Sequence, residues 1–303
     1  MDFVPRQPIP ESPPAGTRTP EVPLTRLDTL WLQVGGTLCN LACNHCFISC
    51  HPENHKIAMM TEAQVRSHLE DAAALGVRDY YITGGEVFLN PEIMEILAAI
   101  LEYGDCFILT NGTTLTASRV DRLRALEDAS GRRLHFRVSL DSLDEAENDA
   151  VRGAGSYRQA VRGLRELARG AFPVHLTLVR SWEESEDPAM ERRVMDFLRG
   201  LGVPEPGAKF LPGFLLGELE KSARPYHQNE RVTEQCFENW PITHLQCASS
   251  RMATAEGVWV CPILVEDPSA RMGTRLQDSL RPYPLRHAAC YTCRISGMSC
   301  AND

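Results

Sequence analysis

The chain has 303 residues, of which 43% are hydrophobic and 23% are charged, a composition typical of globular proteins with a substantial core. Acidic residues outnumber basic ones by 40 to 31, and the net charge of −9 argues against nucleic-acid binding, which needs a basic surface. There is no apolar run of about 18 residues that would span a membrane and no signal-peptide pattern at the N-terminus, so we expect a cytoplasmic protein.

The first 27 residues are predicted to form a proline-rich N-terminal arm. Residues 1–25 contain seven of the chain's twenty prolines and show neither helical nor strand periodicity. Such a segment is either disordered or packs across the main domain, and its composition leaves both possibilities open.

Residues 28–220 alternate between strand-like and helix-like patterns. Each predicted strand is a short run of branched or aromatic residues bounded by Gly, Asn or Pro. The six predicted strands are 30–34, 80–83, 106–110, 134–140, 174–179 and 208–211. This alternation predicts a parallel α/β fold, and six units are too few for a closed eight-stranded barrel. We therefore expect an open or partial barrel with its chemistry at the carboxyl ends of the strands.

Two of the predicted helices carry clear start and stop signals. Thr61 and Gln64 have the spacing of a capping box, and Gly76 lies where this helix would end. Asn90 and Pro91 have the pattern of an N-cap followed by a proline in the first helical turn.

The periodic pattern stops after residue 220. Residues 221–303 are irregular and rich in Cys and Pro, with few periodic apolar residues. We expect a small domain here that is held together by a metal centre.

The eleven cysteines fall into two groups, one near each end of the chain, with Cys106 alone between them. An odd number of cysteines in a chain of this length does not fit a disulfide framework, and cytosolic thiols stay reduced. Metal binding is therefore the expected role of both groups.

The first group contains a CxxxCxxC segment directly after the first predicted strand, formed by Cys39, Cys43 and Cys46. Three thiolates so close together can ligate one iron–sulfur cluster, and a four-iron cubane held by three cysteines keeps one iron open. The spacing also fits three buried cysteines on one helix face, or a zinc site completed by Cys50 or His45. The segment alone leaves these three interpretations open.

The CxxxCxxC motif, taken together with the segments that follow predicted strands two to four, resembles the motifs of the radical S-adenosylmethionine (SAM) enzymes. The segment after the second strand looks like the GGE motif of that family. The residues that carry the likeness after strands two to four are Gly84, Gly85, Glu86, Asn111, Ser139, Asp141 and Arg152. The resemblance covers about residues 28–220.

The resemblance implies a partial (β/α)6 barrel with a [4Fe–4S] cluster on Cys39, Cys43 and Cys46. In this family SAM chelates the open iron, and the reduced cluster cleaves SAM to methionine and a 5′-deoxyadenosyl radical that takes a hydrogen atom from the substrate. An electron donor such as flavodoxin or ferredoxin is implied as a partner.

The resemblance also implies which residues bind SAM. Glu86 would accept from the SAM ammonium and Arg152 would pair with its carboxylate. Ser139 and Asp141 would bind the ribose hydroxyls, and His45 would lie near the adenine. The predicted contacts of SAM are Gly84, Gly85, Glu86, Asn111, Ser139, Asp141, Arg152 and His45.

The second group of cysteines predicts a second centre near the C-terminus. Its spacing, closed by a CxxC pair, fits zinc and [4Fe–4S] equally well. It resembles the SPASM and twitch extensions of radical SAM enzymes, and it is closer to the shorter twitch form, which holds one auxiliary [4Fe–4S] cluster. The predicted ligands are Cys247, Cys261, Cys290 and Cys293, with Cys300 and Cys236 as further candidates.

We therefore expect a radical SAM enzyme that oxidises or rearranges a small molecule with the help of one auxiliary cluster. The main alternative is an enzyme that modifies a peptide or protein. It is less favoured because only about 28 residues precede the first strand, fewer than a leader-recognition domain would need. A non-catalytic zinc-binding protein is a remote alternative, because it leaves the GGE segment and the six βα units unexplained.

Overall fold

The computed structural model describes residues 1–3, 10 and 17–297. The strands are β1 (Glu21–Val22), β2 (Thr29–Leu32), β3 (Asp79–Ile82), β4 (Asp105–Thr110), β5 (Leu134–Ser139), β6 (Val174–Val179), β7 (Pro206–Leu211), β8 (Ser250–Thr254), β9 (Gly257–Trp259), β10 (Arg271–Gly273) and β11 (Tyr283–Pro284). The helices are α1 (Glu62–Ala74), α2 (Ile93–Leu101), α3 (Ala117–Ser130), α4 (Glu145–Arg152), α5 (Ser156–Arg169), α6 (Asp187–Gly200), α7 (Gly217–Ser222) and α8 (Ala288–Ile295).

A nine-stranded sheet forms the centre of the molecule, with the order β10-β9-β8-β2-β3-β4-β5-β6-β7. Strands β2 to β7 pair in chain order and all in parallel, with at least one helix between consecutive strands. All six predicted strands are present, with small shifts at their ends. β7 and β10 are edges of the sheet, so it stays open, and the predicted α/β fold of the partial-barrel type is confirmed.

Successive residues of each strand point to opposite faces of the sheet, and two cores result. Leu30 and Leu32 belong to the core between the sheet and its helices, whereas Trp31 belongs to the core on the inner face. On that inner face Trp31, Tyr81, Phe107 and His135 are neighbours in register on four adjacent strands. Their rings stack at centroid distances of 4.4, 4.4 and 4.5 Å. This row of rings forms a floor inside the open barrel.

The helix signals have mixed outcomes. The capping box of Thr61 and Gln64 is present, and Gly76 follows the end of α1 with a φ of +81°, so both of these predictions are confirmed. The predicted N-cap at Asn90 is wrong, because α2 begins two residues later with Glu92 as its N-cap. The Asn90 side-chain amide instead donates to the carbonyls of Val34 and Met60, each at 2.8 Å, and ties α2 to the segment after β2.

The region after residue 220 differs from the irregular segment that the sequence suggested. β8 pairs in parallel with β2, and β9 and β10 extend the same sheet in antiparallel fashion. Met252 and Trp259 share the inner core with Trp31. The C-terminal region therefore continues the main sheet and covers part of its inner face.

The described parts of the N-terminal arm pack against the rest of the chain. Phe3 is buried, and its ring meets His45 edge to face at a centroid distance of 4.9 Å. β1 pairs with β11, which fastens the arm to the C-terminal region. The described residues of the arm therefore favour an arm that packs across the main domain over a disordered one. In the described part of the chain, no helix is long and apolar enough to cross a membrane.

Candidate active site

The CxxxCxxC cysteines lie on a long loop between β2 and α1. The loop holds no helix, so three cysteines on one helix face is not the explanation of the motif. A bridge between Leu38 and His51 closes the loop, and the Cys39 N–H donates to the His51 carbonyl at 3.3 Å. Cys39, Cys43 and Cys46 all line one cavity at the carboxyl ends of the parallel strands.

The three thiols differ in protonation because their surroundings differ. Burial raises the pKa of Cys39 to about 12 and that of Cys43 to about 11, although Arg152 opposes the shift at Cys43. A hydrogen bond from the Cys50 thiol lowers the pKa of Cys46 to about 6. Two thiols of the motif are therefore neutral near pH 7, and a metal centre would release their protons on binding.

The glycine pair after β3 brings two loops into close contact. A Cβ on Gly84 would lie 2.6 Å from the Gly35 Cα, and one on Gly85 would lie 2.0 Å from the Leu38 carbonyl oxygen. Gly84 also has a φ of +143°, which L side chains rarely adopt. The pair thus places the turn after β3 directly against the loop that carries Cys39.

We expect Gly85→Ala to lower the iron content after anaerobic reconstitution by roughly half or more, because the added methyl displaces the Leu38–Cys39 backbone. Gly200→Ala is the matched control, since a Cβ there meets nothing within 4 Å. Iron and sulfide analysis of both variants checks the prediction. Wild-type iron in Gly85→Ala would show that the close contact is not needed to hold the metal centre.

Glu86 completes the GGE segment, but it is fully buried and does not line the cavity. Its oxygens accept hydrogen bonds from the Thr110 hydroxyl at 2.7 and 2.9 Å, the Asn111 N–H at 2.8 Å and the Phe88 N–H at 3.1 Å. Burial raises the pKa of Glu86, and these donors oppose that rise. In this structure Glu86 fixes the end of β4 to the turn after β3, and a contact with the SAM ammonium remains a prediction.

Asp141 follows β5 and forms the centre of a buried charge cluster. Its Oδ2 lies 2.7 Å from both the Arg152 Nε and the His45 Nε2. Burial alone would raise its pKa, but the charge of Arg152, then that of His45, holds the pKa well below the usual range. Its backbone N–H donates to the Asn148 side chain at 3.0 Å. Asp141 is thus a carboxylate that orients Arg152 and His45.

Six of the predicted SAM contacts line the same cavity as the cysteines, and one of them, Asn111, connects this cavity to the loop. The six are Gly84, Gly85, His45, Asn111, Ser139 and Arg152. The Asn111 amide, which also borders the cavity, donates to the Asn40 side chain at 2.9 Å and points at the Cys39 sulfur at 3.7 Å. The Arg152 guanidinium likewise lies 3.9 Å from the Cys43 sulfur. Two N–H donors therefore face the sulfurs of the motif.

The cavity has a volume of about 1290 Å³, which includes its open mouth. Apolar side chains such as Trp31, Phe47 and Phe214 form much of its wall. Four polar residues that were not predicted as site residues also line it, and they are Thr83, Thr110, Arg137 and Thr177. The sequence did contain a signal for Arg137. It lies two residues before Ser139 on the same predicted strand, and alternate residues of a strand point to the same face of the sheet.

A second cavity, of about 520 Å³, lies in the C-terminal region. Four cysteines from three separate segments meet there among apolar side chains. They are Cys247, Cys261, Cys290 and Cys293, the four predicted ligands. Burial raises the pKa of Cys261 to about 11 and holds that of Cys290 well above its usual value.

The two further candidate ligands have different outcomes. Cys236 does not line this cavity, and its sulfur contacts the Thr233 N–H and hydroxyl at 3.5 and 3.6 Å. Cys300 lies outside the described residues.

Among the described residues, no three His, Cys, Asp or Glu side chains are placed to hold one metal ion.

Comparison with known proteins assigns most of the barrel to a protein family. The family model described as the Radical SAM superfamily matches residues 34–186. A GTP 3′,8-cyclase of Listeria monocytogenes is 28% identical over 66% of this chain and 59% of its own length. The mycofactocin maturase MftC of Mycobacterium tuberculosis is 30% identical over 44% of this chain and 33% of its own length. The chain thus spans less than two thirds of either relative.

The fold is also shared with a solved structure. SuiB of Streptococcus suis, crystallised with S-adenosylmethionine, superimposes with a TM-score of 0.62. The match covers 87% of this chain and 67% of SuiB, at 15% sequence identity. At that identity the likeness establishes the fold alone.

Proposed function

The chain belongs to the radical SAM superfamily of enzymes, and from this premise we propose that it cleaves SAM reductively to a 5′-deoxyadenosyl radical that abstracts a hydrogen atom from its substrate. The observation that carries the proposal is one cavity, at the carboxyl ends of the strands, that joins Cys39, Cys43 and Cys46 to the Gly84–Gly85 turn. Enzymes of this family take an electron from a donor, and we propose a flavodoxin or ferredoxin for that role.

The three thiols suit a [4Fe–4S] cluster with one open iron. They are the only sulfur ligands that the motif offers, and a three-cysteine set leaves one coordination position for SAM. When bound, the cluster supplies the electron that cleaves SAM. The N–H groups of Asn111 and Arg152 that face Cys39 and Cys43 stabilise negative charge on the sulfurs.

We propose that SAM lies along Ser139, Arg152 and His45, next to the Gly84–Gly85 backbone. Asp141 acts on SAM indirectly, because its carboxylate is engaged with Arg152 and His45 and holds both side chains in place. A bound carboxylate near Arg152 would share that guanidinium with Asp141, as charge-assisted pairs often do.

We propose that the C-terminal cysteines hold one auxiliary [4Fe–4S] cluster of the twitch type, with Cys247, Cys261, Cys290 and Cys293 as ligands. Their shared cavity supports this set.

A buried arginine beside these cysteines supports an anionic centre there. Arg251 is fully buried, and its guanidinium donates to four backbone carbonyls, among them that of Cys247 at 2.7 Å. Among the described residues no carboxylate pairs with it. A buried charge needs a counter-charge, and thiolates on a cluster would supply one.

We propose a small molecule as the substrate, oxidised or rearranged with the auxiliary cluster as electron acceptor. The relatives are named both as a cyclase of GTP and as a maturase, so modification of a peptide is the competing outcome of any substrate search.

The test of the proposed function is anaerobic purification followed by iron, sulfide and EPR analysis and by assay of 5′-deoxyadenosine with dithionite and SAM. We expect about eight irons per chain and measurable 5′-deoxyadenosine. About four irons per chain would reject the auxiliary cluster and leave the proposed radical SAM activity in place. Zinc without iron, or no 5′-deoxyadenosine, would reject the function.

A further inference from the structure

Phe3, in the N-terminal arm, belongs to a small apolar core beside the active site. Only 5% of its surface is exposed, and it clusters with Val151 of α4, with Leu219 of α7 and with Leu215 just before that helix. This core is separate from the two cores of the sheet. The arm thus contributes a buried aromatic ring next to the helices that flank the CxxxCxxC loop.

The two helices in contact with this core hold the CxxxCxxC loop from two sides. The Asn44 N–H donates to the Val151 carbonyl at 3.1 Å, and the Glu218 N–H donates to the Cys46 carbonyl at 2.9 Å. The loop is therefore fixed between α4 and α7, whose apolar side chains surround the arm.

His45 is the residue of this loop that the arm contacts directly. The Phe3 ring meets the His45 ring edge to face, at a centroid distance of 4.9 Å and an interplanar angle of 84°. The His45 Nε2 lies 2.7 Å from the Asp141 Oδ2, and the His45 side chain lines the active-site cavity. One polar and one aromatic contact therefore hold this ring at the cavity wall before any ligand binds.

The backbone of the arm also lies directly behind the cavity wall. A Cβ on Gly213, which lines the cavity, would lie 1.9 Å from the Phe3 carbonyl oxygen. The glycine thus allows the arm to approach the wall closely. Val179 lines the cavity as well and packs against the core that contains Phe3. The arm therefore supports the wall at His45, Val179 and Gly213.

We propose that Phe3 is a positioning residue for SAM, and that its ring holds His45 in the orientation in which His45 contacts the adenine. An edge-to-face pair has a preferred geometry, so it restricts rotation of the imidazole. A side chain that is already held in place loses less conformational entropy when the ligand binds, which raises the affinity. This inference rests on the proposed function and adds a residue of the arm to the SAM site.

The experiment uses the full chain, reconstituted anaerobically and carrying no tag before Met1. The dissociation constant of SAM is measured by anaerobic calorimetry, and KM and kcat are measured for 5′-deoxyadenosine formation with dithionite. Phe3→Ala should raise the dissociation constant and the KM of SAM by about three- to tenfold. Its kcat and iron content should equal those of the wild type, because the contact supports binding alone.

Leu24→Ala is the matched control. It also removes an apolar side chain from the N-terminal segment, but Leu24 packs against the core between the sheet and its helices. We expect its affinity for SAM to equal that of the wild type.

Phe3→Leu separates the role of the ring from that of apolar packing. It keeps an apolar side chain against Val151 and Leu219 and removes the edge-to-face contact. Its melting temperature should be higher than that of Phe3→Ala, while the dissociation constant of SAM stays raised. If Phe3→Ala does not fold, Phe3→Leu takes its place in every comparison.

A double-mutant cycle tests whether Phe3 acts through His45. His45→Ala should itself weaken SAM binding, and adding Phe3→Ala should weaken it no further, because the ring that Phe3 holds is then absent.

Four results would overturn the inference while the proposed function stands. They are a wild-type affinity for SAM in either Phe3 variant, a wild-type affinity in His45→Ala, losses of affinity that multiply in the double variant, and an equal loss of affinity in Leu24→Ala. A wild type that neither binds SAM nor forms 5′-deoxyadenosine would instead reject the proposed function and this inference with it.

Discussion

Cys43→Ala is expected to abolish formation of 5′-deoxyadenosine and to lower the iron content from about eight to about four per chain. Cys43 is one of the three motif thiols that line the active-site cavity together with Cys50, and a cubane that loses one of its three protein ligands is expected not to assemble. The measurements are iron and sulfide analysis, EPR of the reduced protein, and 5′-deoxyadenosine by liquid chromatography.

Cys236→Ala is the matched control for this variant. Cys236 lines neither cavity, and its sulfur contacts Thr233, so both iron content and SAM cleavage should remain at wild-type levels. If Cys43→Ala still formed 5′-deoxyadenosine at the wild-type rate, the assignment of the SAM-cleaving site would be wrong.

The double variant Cys290→Ala/Cys293→Ala is expected to lose about four irons per chain and to keep part of its SAM cleavage. These residues form the CxxC pair at α8 and line the C-terminal cavity with Cys247 and Cys261. Because metal binding contributes directly to folding in small metal-held regions, the variant should also melt at a lower temperature than the wild type.

The two cysteine variants together separate the two centres. Loss of iron in both, with loss of SAM cleavage only in Cys43→Ala, is the expected pattern. Loss of zinc instead of iron in the double variant would show that the C-terminal cysteines hold zinc. Unchanged metal content in that variant would refute the proposed ligand set.

The sequence by itself determined the barrel and the local motifs. The strands β2 to β7 were predicted because each is a short buried run with turn residues at its ends, a signal contained within a few neighbouring residues. The CxxxCxxC segment and the Gly84–Gly85 pair are also local, and parallel pairing alone brings the ends of their strands to one edge of the sheet.

Only the tertiary structure decided where the C-terminal region goes. β8 pairs with β2 although more than 200 residues separate them. No local periodicity encodes the partner of such a strand, and the short runs of β8, β9 and β10 carry a weak pattern of their own. The meeting of Cys247, Cys261, Cys290 and Cys293 in one cavity depends on that same long-range pairing.

The tertiary structure also decided what the polar side chains face. The contacts of Glu86 and Asp141 with SAM stay predictions, and in the structure both side chains are buried and engaged with protein donors. Arg137 was not considered, yet it lines the cavity. A sequence motif shows which residue types stand at a strand end, whereas burial and the nearest hydrogen-bond partner decide which of them a ligand can reach.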